Sequence, residues 1–435
     1  MTKPMKEKFD KLINNLGGSK RSIAKTISNF IQFNTENPGM KDHEIQLAIR
    51  DELRASGLHV ELNRPGDHAV ALTSSQGRGL GRGLILYGHA DVVPAGNPNK
   101  WRHPPYSGAI VGDRVYGRGA SDMKAGLVAA MFAYKLIAEN DFPLRGKLEF
   151  VSVLDEEAWH KTPTGWGTSD WLLKIDKLRG KACIMGEPSG VTNIGIGERG
   201  DYWARLTCDA EPAHGSMPVY DENACVKMFT LLNEIHDAIQ QPVNTPAEIK
   251  NIVKSTSEVL SKEMRRMKVE RMARESRNFL NHYTMNVGLV SGGTMINVVP
   301  EHCEVSIAFC VPLGATRKAL EKKVKTLLEK SKYRNIKLRR SGEVEPDPSY
   351  TSPNSRLVRT LSDAGEKMLD ERPHLRVSPG TSDAVVFRKN GVQTCSYGPG
   401  NMEHIHGYNE SVSVRDTITT TKVYLKTIAE YIGFD

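Results

Sequence analysis

The sequence of 435 residues holds six cysteines, and none of them belongs to a C-x-x-C pair. Cys183, Cys208, Cys225, Cys303, Cys310 and Cys395 are scattered, which argues against a disulfide framework and a cysteine-built structural zinc site and leaves reduced thiols as the expectation. No apolar run has the length needed to span a bilayer, so no membrane partner is expected. The N-terminal stretch MTKPMKEKFDKLINNLGG is charged and amphipathic and lacks the features of a secretory signal; the expected location is the cytoplasm. Internal repeats and low-complexity tracts are absent. So are the catalytic signatures G-x-S-x-G and H-E-x-x-H. GIGERG, from Gly195 to Gly200, matches the dinucleotide fingerprint, but the alternating DYWARLTCDA behind it reads as a strand where that motif needs a helix. An oxidoreductase is rejected on that ground.

A charged fraction of 25% and a hydrophobic fraction of 39% are those of a soluble globular protein, and the length implies two domains. The formal charge of +8 invites a nucleic-acid partner. Its Lys and Arg, however, gather in stretches such as KEMRRMKVERMARESR, where Glu263, Glu270 and Glu275 interleave as on a solvated helix face. No aromatic-rich basic module accompanies them, and no nucleic-acid partner is expected.

Up to about Gly200, β-rich runs (LHVEL, LILYG, KLEFVSVL, ACIMG) alternate with helical stretches such as MKAGLVAAMFAYKLIAEN. The expected fold is therefore α/β, with a mixed, largely parallel sheet and helices on both faces. From DYWARLTCDA to NIKLRR the order strand, helix, two strands, helix, strand describes a small antiparallel, ferredoxin-like α+β unit. The α/β pattern then resumes to the C-terminus. The expected domains are residues 1–200 with 346–435, and an inserted unit 201–345 carrying a polar helical excursion from Gln240 to Asn278.

In an open α/β sheet, ligands sit beyond the carboxyl ends of the strands. There the chain repeatedly places ionisable groups: His89 and Asp91 after LILYG, Asp122 after RVYGRGAS, Asp155, Glu156 and Glu157 after FVSVL, Glu187 after ACIMG, and His404, His406 and Glu410 in HIHGYNE. Each alone is more often a cap or a solvated loop residue than a ligand. Together, imidazoles and carboxylates at one sheet edge form the ligand set of a hydrolytic zinc-type centre, in which a spare carboxylate can bridge two ions.

The motifs YGHADVVPAG, YGRGASDMKAG, LDEEAW, MGEPSG, AHGSMP, GGTMINVVP, GTSDA and HGYNE follow one another across nearly the whole chain. In that order they resemble the metallopeptidase family that includes acetylornithine deacetylase, succinyl-diaminopimelate desuccinylase, aminoacylase and glutamate carboxypeptidase. The resemblance implies a two-metal site with Asp122 bridging, His89 and Glu187 on one ion, and Glu157 and His406 on the other. Zn2+ is the first choice, and Mn2+ or Co2+ also suit such ligands. It further implies that Asp91 accepts the far N–H of His89, that Glu156 is the general base and acid, and that His214 is an oxyanion donor supplied by the partner subunit. Asn297 and the loop of Gly380, Thr381 and Ser382 are candidate substrate contacts, although turn duties would equally account for the glycines.

The implied activity is hydrolysis of an amide bond in a small N-acylated amino acid by a metal-activated water, in a homodimer formed through the insert. The alternatives are a dipeptidase or carboxypeptidase, or an aminohydrolase acting on a non-peptide small molecule. One departure stands out. Where many relatives carry Asp-x-Arg, IAFCVPLG puts Ala308 and Cys310, so a substrate carboxylate would be held differently or be absent.

Overall fold

The computed structural model describes residues 2–37, 43–65, 70–79, 82–157, 161–162, 165–341, 346–400 and 405–435. The chain forms two compact units, one of Met1–Ile196, Thr351–Arg376 and Ser382–Asp435, the other of Gly197–Tyr350 with Val377–Thr381. Strand Asn193–Glu198 meets Ser396 at Gly195 and Ser349–Tyr350 at Gly197 and Glu198, so the chain changes unit in mid-strand. Among the described residues no helix is long and apolar enough to cross a membrane.

In the first unit the sheet runs Val60–Asn63, Ala71–Gln76, Leu148–Val153, Leu84–His89, Ala182–Met185, Gln393–Ser396, Asn193–Glu198. The three middle pairings are parallel and the outer ones antiparallel. Parallel neighbours need a long crossover, whereas the short connection from Asn63 to Ala71 allows only a hairpin. Every residue of Leu84–His89 and of Leu148–Val153 is buried, which is why both read as largely apolar runs, the second interrupted by Glu149 and Ser152.

Helices cover both faces. Leu127, on helix Ala125–Glu139, packs against Gly88, while Leu172 and Phe387, from Gly167–Lys174 and Ala384–Lys389, pack with Ile85, Tyr87 and Val151 on the other side. Helix Ala125–Glu139 is alanine-rich and buried nearly all round.

The second unit holds an antiparallel sheet in the order Thr284–Gly292, His302–Val311, Gly200–Asp209, Ile336–Arg340. Burial alternates along Gly200–Asp209 and His302–Val311, as for a sheet covered on one face. Helices Ala224–Ile239 and Arg317–Leu328 supply that cover through Leu231, Ile235, Leu320 and Val324, against Tyr202, Leu206, Val305 and Phe309. The excursion folds as helices Lys250–Arg266 and Glu270–Glu275, tied where Ser261 Oγ donates to Ala273 O at 2.6 Å.

Candidate metal centre

Parallel pairing aligns three strand ends. Leu84–His89 lies between Leu148–Val153 and Ala182–Met185, with His89 opposite Val153 and Tyr87 opposite Met185. The residues that follow, Asp155 to Glu157 and Gly186 to Glu187, therefore emerge beside His89. Helix Ala125–Glu139 brings the fourth segment in. Gly126 and Gly186 touch main chain to main chain, and a β-carbon on Gly126 would stand 1.8 Å from Gly186 O. Only glycine permits that approach. It sets Asp122, just before the helix, against the turn that carries Glu187. The Asp122–Met123 peptide is cis.

His89 Nε2 lies 3.2 Å from Asp122 Oδ1, 3.6 Å from Glu187 Oε1 and 4.0 Å from Glu156 Oε2. His406 Nε2 lies 3.4 Å from Asp122 Oδ2 and 3.3 Å from Glu157 Oε1. Asp122 thus turns one oxygen to each imidazole. Among the described residues, His89, Asp122 and Glu187 hold ligand-type atoms within 4.8 Å of one another, and so do Asp122, Glu157 and His406. The two groups share Asp122 alone. His89, Glu156 and Glu157 make a third such group. His404 lies outside the described residues.

The charge balance of this cluster fits divalent cations. Five carboxylates (Asp91, Asp122, Glu156, Glu157, Glu187) surround two imidazoles, more negative charge than two protonated imidazoles would neutralise. Burial would lower the His89 pKa, but Asp122 and Asp91, with Glu187 and Glu156, raise it well above its ordinary value. Contacts with Asp122 and Glu157 lift His406 to about 10. Despite burial, His406 and His89 hold Asp122 well below the usual carboxylate range. Burial, with Glu187, Glu157 and Asp383 adding to it, pushes Glu156 well upward. Buried like charges in this arrangement call for a cation, and a His and carboxylate donor set suits zinc or its neighbours.

Asp91 faces the far nitrogen of His89 with both its main-chain oxygen and its carboxylate. The nearest acceptor of Nδ1 is the Asp91 main-chain oxygen at 3.0 Å, with carboxylate Oδ1 at 3.4 Å. Oδ2 instead accepts the Glu157 N–H at 3.0 Å and Asn37 Nδ2 at 3.1 Å, fixing the backbone that carries Glu157. The carboxylate contacts, not the main-chain oxygen that any residue would offer, explain why an aspartate stands two positions beyond the imidazole.

The other candidates fall in several places. In the second unit, Gly215 N–H donates to Asn297 O at 2.7 Å and Val299 N–H to Ala213 O at 2.8 Å, which brings exposed His214 and Asn297 onto paired segments. His214 Nδ1 accepts the Ser216 N–H at 3.2 Å, so in the neutral ring Nε2 carries the proton and can donate it outward. Thr381 Oγ1 donates to Arg199 O at 2.9 Å, and Ser382 Oγ accepts the Ala384 N–H at 3.2 Å. Gly293 has a left-handed backbone and Gly292 packs against Cys225 Sγ, but Gly380 is neither left-handed nor crowded. Turn duty explains Gly293 and packing explains Gly292; neither explains Gly380.

Sequence reasoning passed over Asn37 and Arg118, and took Asp383 only as part of the GTSDA loop of candidate substrate contacts. Asp383 is buried and accepts the hydroxyls of Tyr87 and Ser169, tying the His89 strand to its covering helices. Its sequence signals are its place in GTSDA and a carboxylate directly ahead of the apolar run AVVF.

The model of peptidase family M20/M25/M40 matches residues 85–430. The chain belongs to this family. Like other M20 proteins it is a hydrolase of amide bonds. This M20 chain is similar to succinyl-diaminopimelate desuccinylase of Hydrogenovibrio crunogenus, at 27% identity over 402 residues, covering 91% of this chain and 95% of the relative. Among solved structures it resembles the M20 family metallo-carboxypeptidase Sso-CP2 of Sulfolobus solfataricus, with a TM-score of 0.77, 20% identity, and coverage of 94% and 99% of the two chains. It also resembles human carnosine dipeptidase 1, with a TM-score of 0.74, 15% identity, and coverage of 98% of each chain. These likenesses establish the M20 fold.

Proposed function

We propose that this chain is a deacylase that hydrolyses the amide bond of a small N-acylated amino acid, using two divalent ions, Zn2+ in the first instance. The observation that carries the reading is the sharing of Asp122 between two His and carboxylate groups, each complete enough to hold one ion. When bound, such ions lower the pKa of a water and polarise an amide carbonyl. His89 and Glu187 would hold one ion, Glu157 and His406 the other, with Asp122 available to both.

Glu156 Oε2 stands 4.0 Å from His89 Nε2, whereas Glu157 Oε1 meets His406 Nε2 at 3.3 Å. By the family pattern Glu156 is not a ligand, and it takes a proton from water and hands it to the departing amine nitrogen. His214, with its proton on Nε2, steadies the charge on the carbonyl oxygen, and Asn297 and Gly380 contact the substrate. The 27% identity to a desuccinylase along almost its whole length supports a deacylase. Turnover of a panel of N-succinyl and N-acetyl amino acids against dipeptides, with Zn2+, Mn2+ and Co2+ in turn, tests it. Dipeptides cleaved well and N-acyl amino acids not at all would reject the deacylase.

The working form in this reading is a cytoplasmic homodimer joined through the insert. Strand Thr284–Gly292 is an edge of its sheet, with Leu289 70% and Val290 53% exposed. An apolar, unpaired edge invites pairing with a second copy. The partner's copy of the histidine motif then completes each site.

A further inference from the structure

Glu410 is fully buried, and four donors occupy its two carboxylate oxygens. Oε1 accepts the N–H of Ser121 at 2.8 Å and of Asp122 at 3.0 Å; Oε2 accepts Arg118 Nη1 at 2.7 Å and the N–H of Gly119 at 3.1 Å. The other arm of Arg118, Nη2, donates to His406 O at 3.3 Å and to Pro94 O at 3.4 Å. The guanidinium lies 5.2 Å from the Trp101 ring centre. One carboxylate and one guanidinium therefore join the backbone entering Asp122 to the backbone of His406. His406 has a left-handed backbone, φ 59°, which a β-carbon disfavours and which its surroundings must hold.

A buried ion pair that only filled the core could be exchanged for apolar side chains. This pair instead directs its hydrogen bonds to main-chain groups, among them those of Asp122 and His406, whose side chains meet 3.4 Å apart. We propose that Glu410, acting through Arg118, is a positioning residue that locks the Asp122 and His406 loops at the spacing at which their side chains hold metal. It rests on the reading of Asp122 and His406 as ligands.

The test uses the full-length protein and Zn2+. Glu410→Gln presents an amide NH2 to donors that need an acceptor, breaking about half of the clamp. Arg118→Lys keeps the charge beside Glu410 but cannot reach Glu410 and His406 O together. Zn2+ dissociation constants from competition with a chromophoric chelator, the melting temperature of the metal-free protein, and kcat against Zn2+ concentration are measured for each. At least one ion is expected to bind about 10- to 100-fold more weakly in both variants, with activity partly restored by excess Zn2+.

Wild-type Zn2+ affinities in both variants, with only a lower melting temperature, would overturn the proposal and leave a pair that merely holds the fold. If Glu410→Gln does not fold, Arg118→Lys decides alone by the same criterion. Failure of the wild type to bind Zn2+ would reject the ligand reading and the clamp with it. Two tightly held ions in the wild type, with unchanged affinity in the variants, would reject the clamp alone.

Discussion

Gly126→Ala adds one methyl group at the point where helix and strand end touch. A β-carbon there would lie 1.8 Å from Gly186 O and 2.7 Å from Gly186 C, both main-chain atoms that cannot swing aside. To reach the 3.0 Å below which such contacts are essentially not found, starting from 1.8 Å, the helix start and the turn must part by about 1.2 Å. Gly186 adjoins Glu187, and Asp122 lies one turn before Gly126. The separation thus falls on the 3.2 Å and 3.6 Å approaches of Asp122 and Glu187 to His89.

Misplacement of catalytic groups by about 1 Å costs on the order of 10²-fold in rate, and overpacking costs about 1–3 kcal/mol of stability. Turnover at saturating divalent metal should fall by roughly 10²-fold. Urea unfolding should show a loss of about 1–3 kcal/mol. Gly17→Ala is the control, since it sits in a short helical turn with nothing within 4 Å of the added carbon. Its stability should change by no more than about 1 kcal/mol, with kcat unaltered. Wild-type turnover and stability in Gly126→Ala would refute the argument that this contact sets the site.

Glu156→Gln should retain both ions while kcat drops by about 10²–10⁴-fold; loss of an ion, read by elemental analysis, would mean that Glu156 and Glu157 exchange roles. Mixing inactive His214→Ala with inactive Glu156→Ala chains should restore activity in hybrid dimers, because one site then has both an intact proton carrier and an intact histidine. No recovery in hybrids verified by native mass spectrometry would place His214 in its own chain's site or outside catalysis. In the insert, Lys330 and Lys332 hold the Glu234 carboxyl down at about 2, from an ordinary 4.5, against a small opposing effect of burial. A depressed carboxylate stabilises the fold above its unfolded pKa and loses that contribution as pH falls, here between about 4.5 and 2. The stability difference between wild type and Glu234→Gln should be flat above pH 5, about 1 kcal/mol given partial exposure, and should vanish toward pH 2. A difference that grows on acidification would contradict the sign.

The parts of the fold legible in the sequence are those where burial is complete on both faces or strictly alternating. Residues 84–88 are an unbroken apolar run, Leu148–Val153 is mostly apolar, and Gly200–Asp209 alternates, so each shows as a strand. Ala71–Gln76 does not, because ALTSSQ mixes a buried threonine and a buried serine with apolar residues; Ser74 is buried with its hydroxyl donating to His59 O. Asn193–Glu198, with two glycines in six residues, showed itself only as part of the rejected fingerprint GIGERG.

In the site, side chains at strand ends could be listed from the sequence, but their convergence depends on which strands are parallel neighbours. Arg118 and Asn37 act on main-chain or carboxylate partners far along the chain, and such contacts leave no period in the sequence. The pairing of the His214 and Asn297 segments likewise spans more than eighty residues and comes from the turn geometry of the insert.

Metal stoichiometry tests the central claim most directly. Elemental analysis of the purified protein should find two divalent ions per chain, Asp122→Asn should lose both, and His406→Ala should keep one, since only Asp122 belongs to both ligand groups. Removal by a chelator should abolish hydrolysis, and replacement should restore it. A metal-free preparation with full activity, or an Asp122→Asn protein that still holds two ions, would contradict the account.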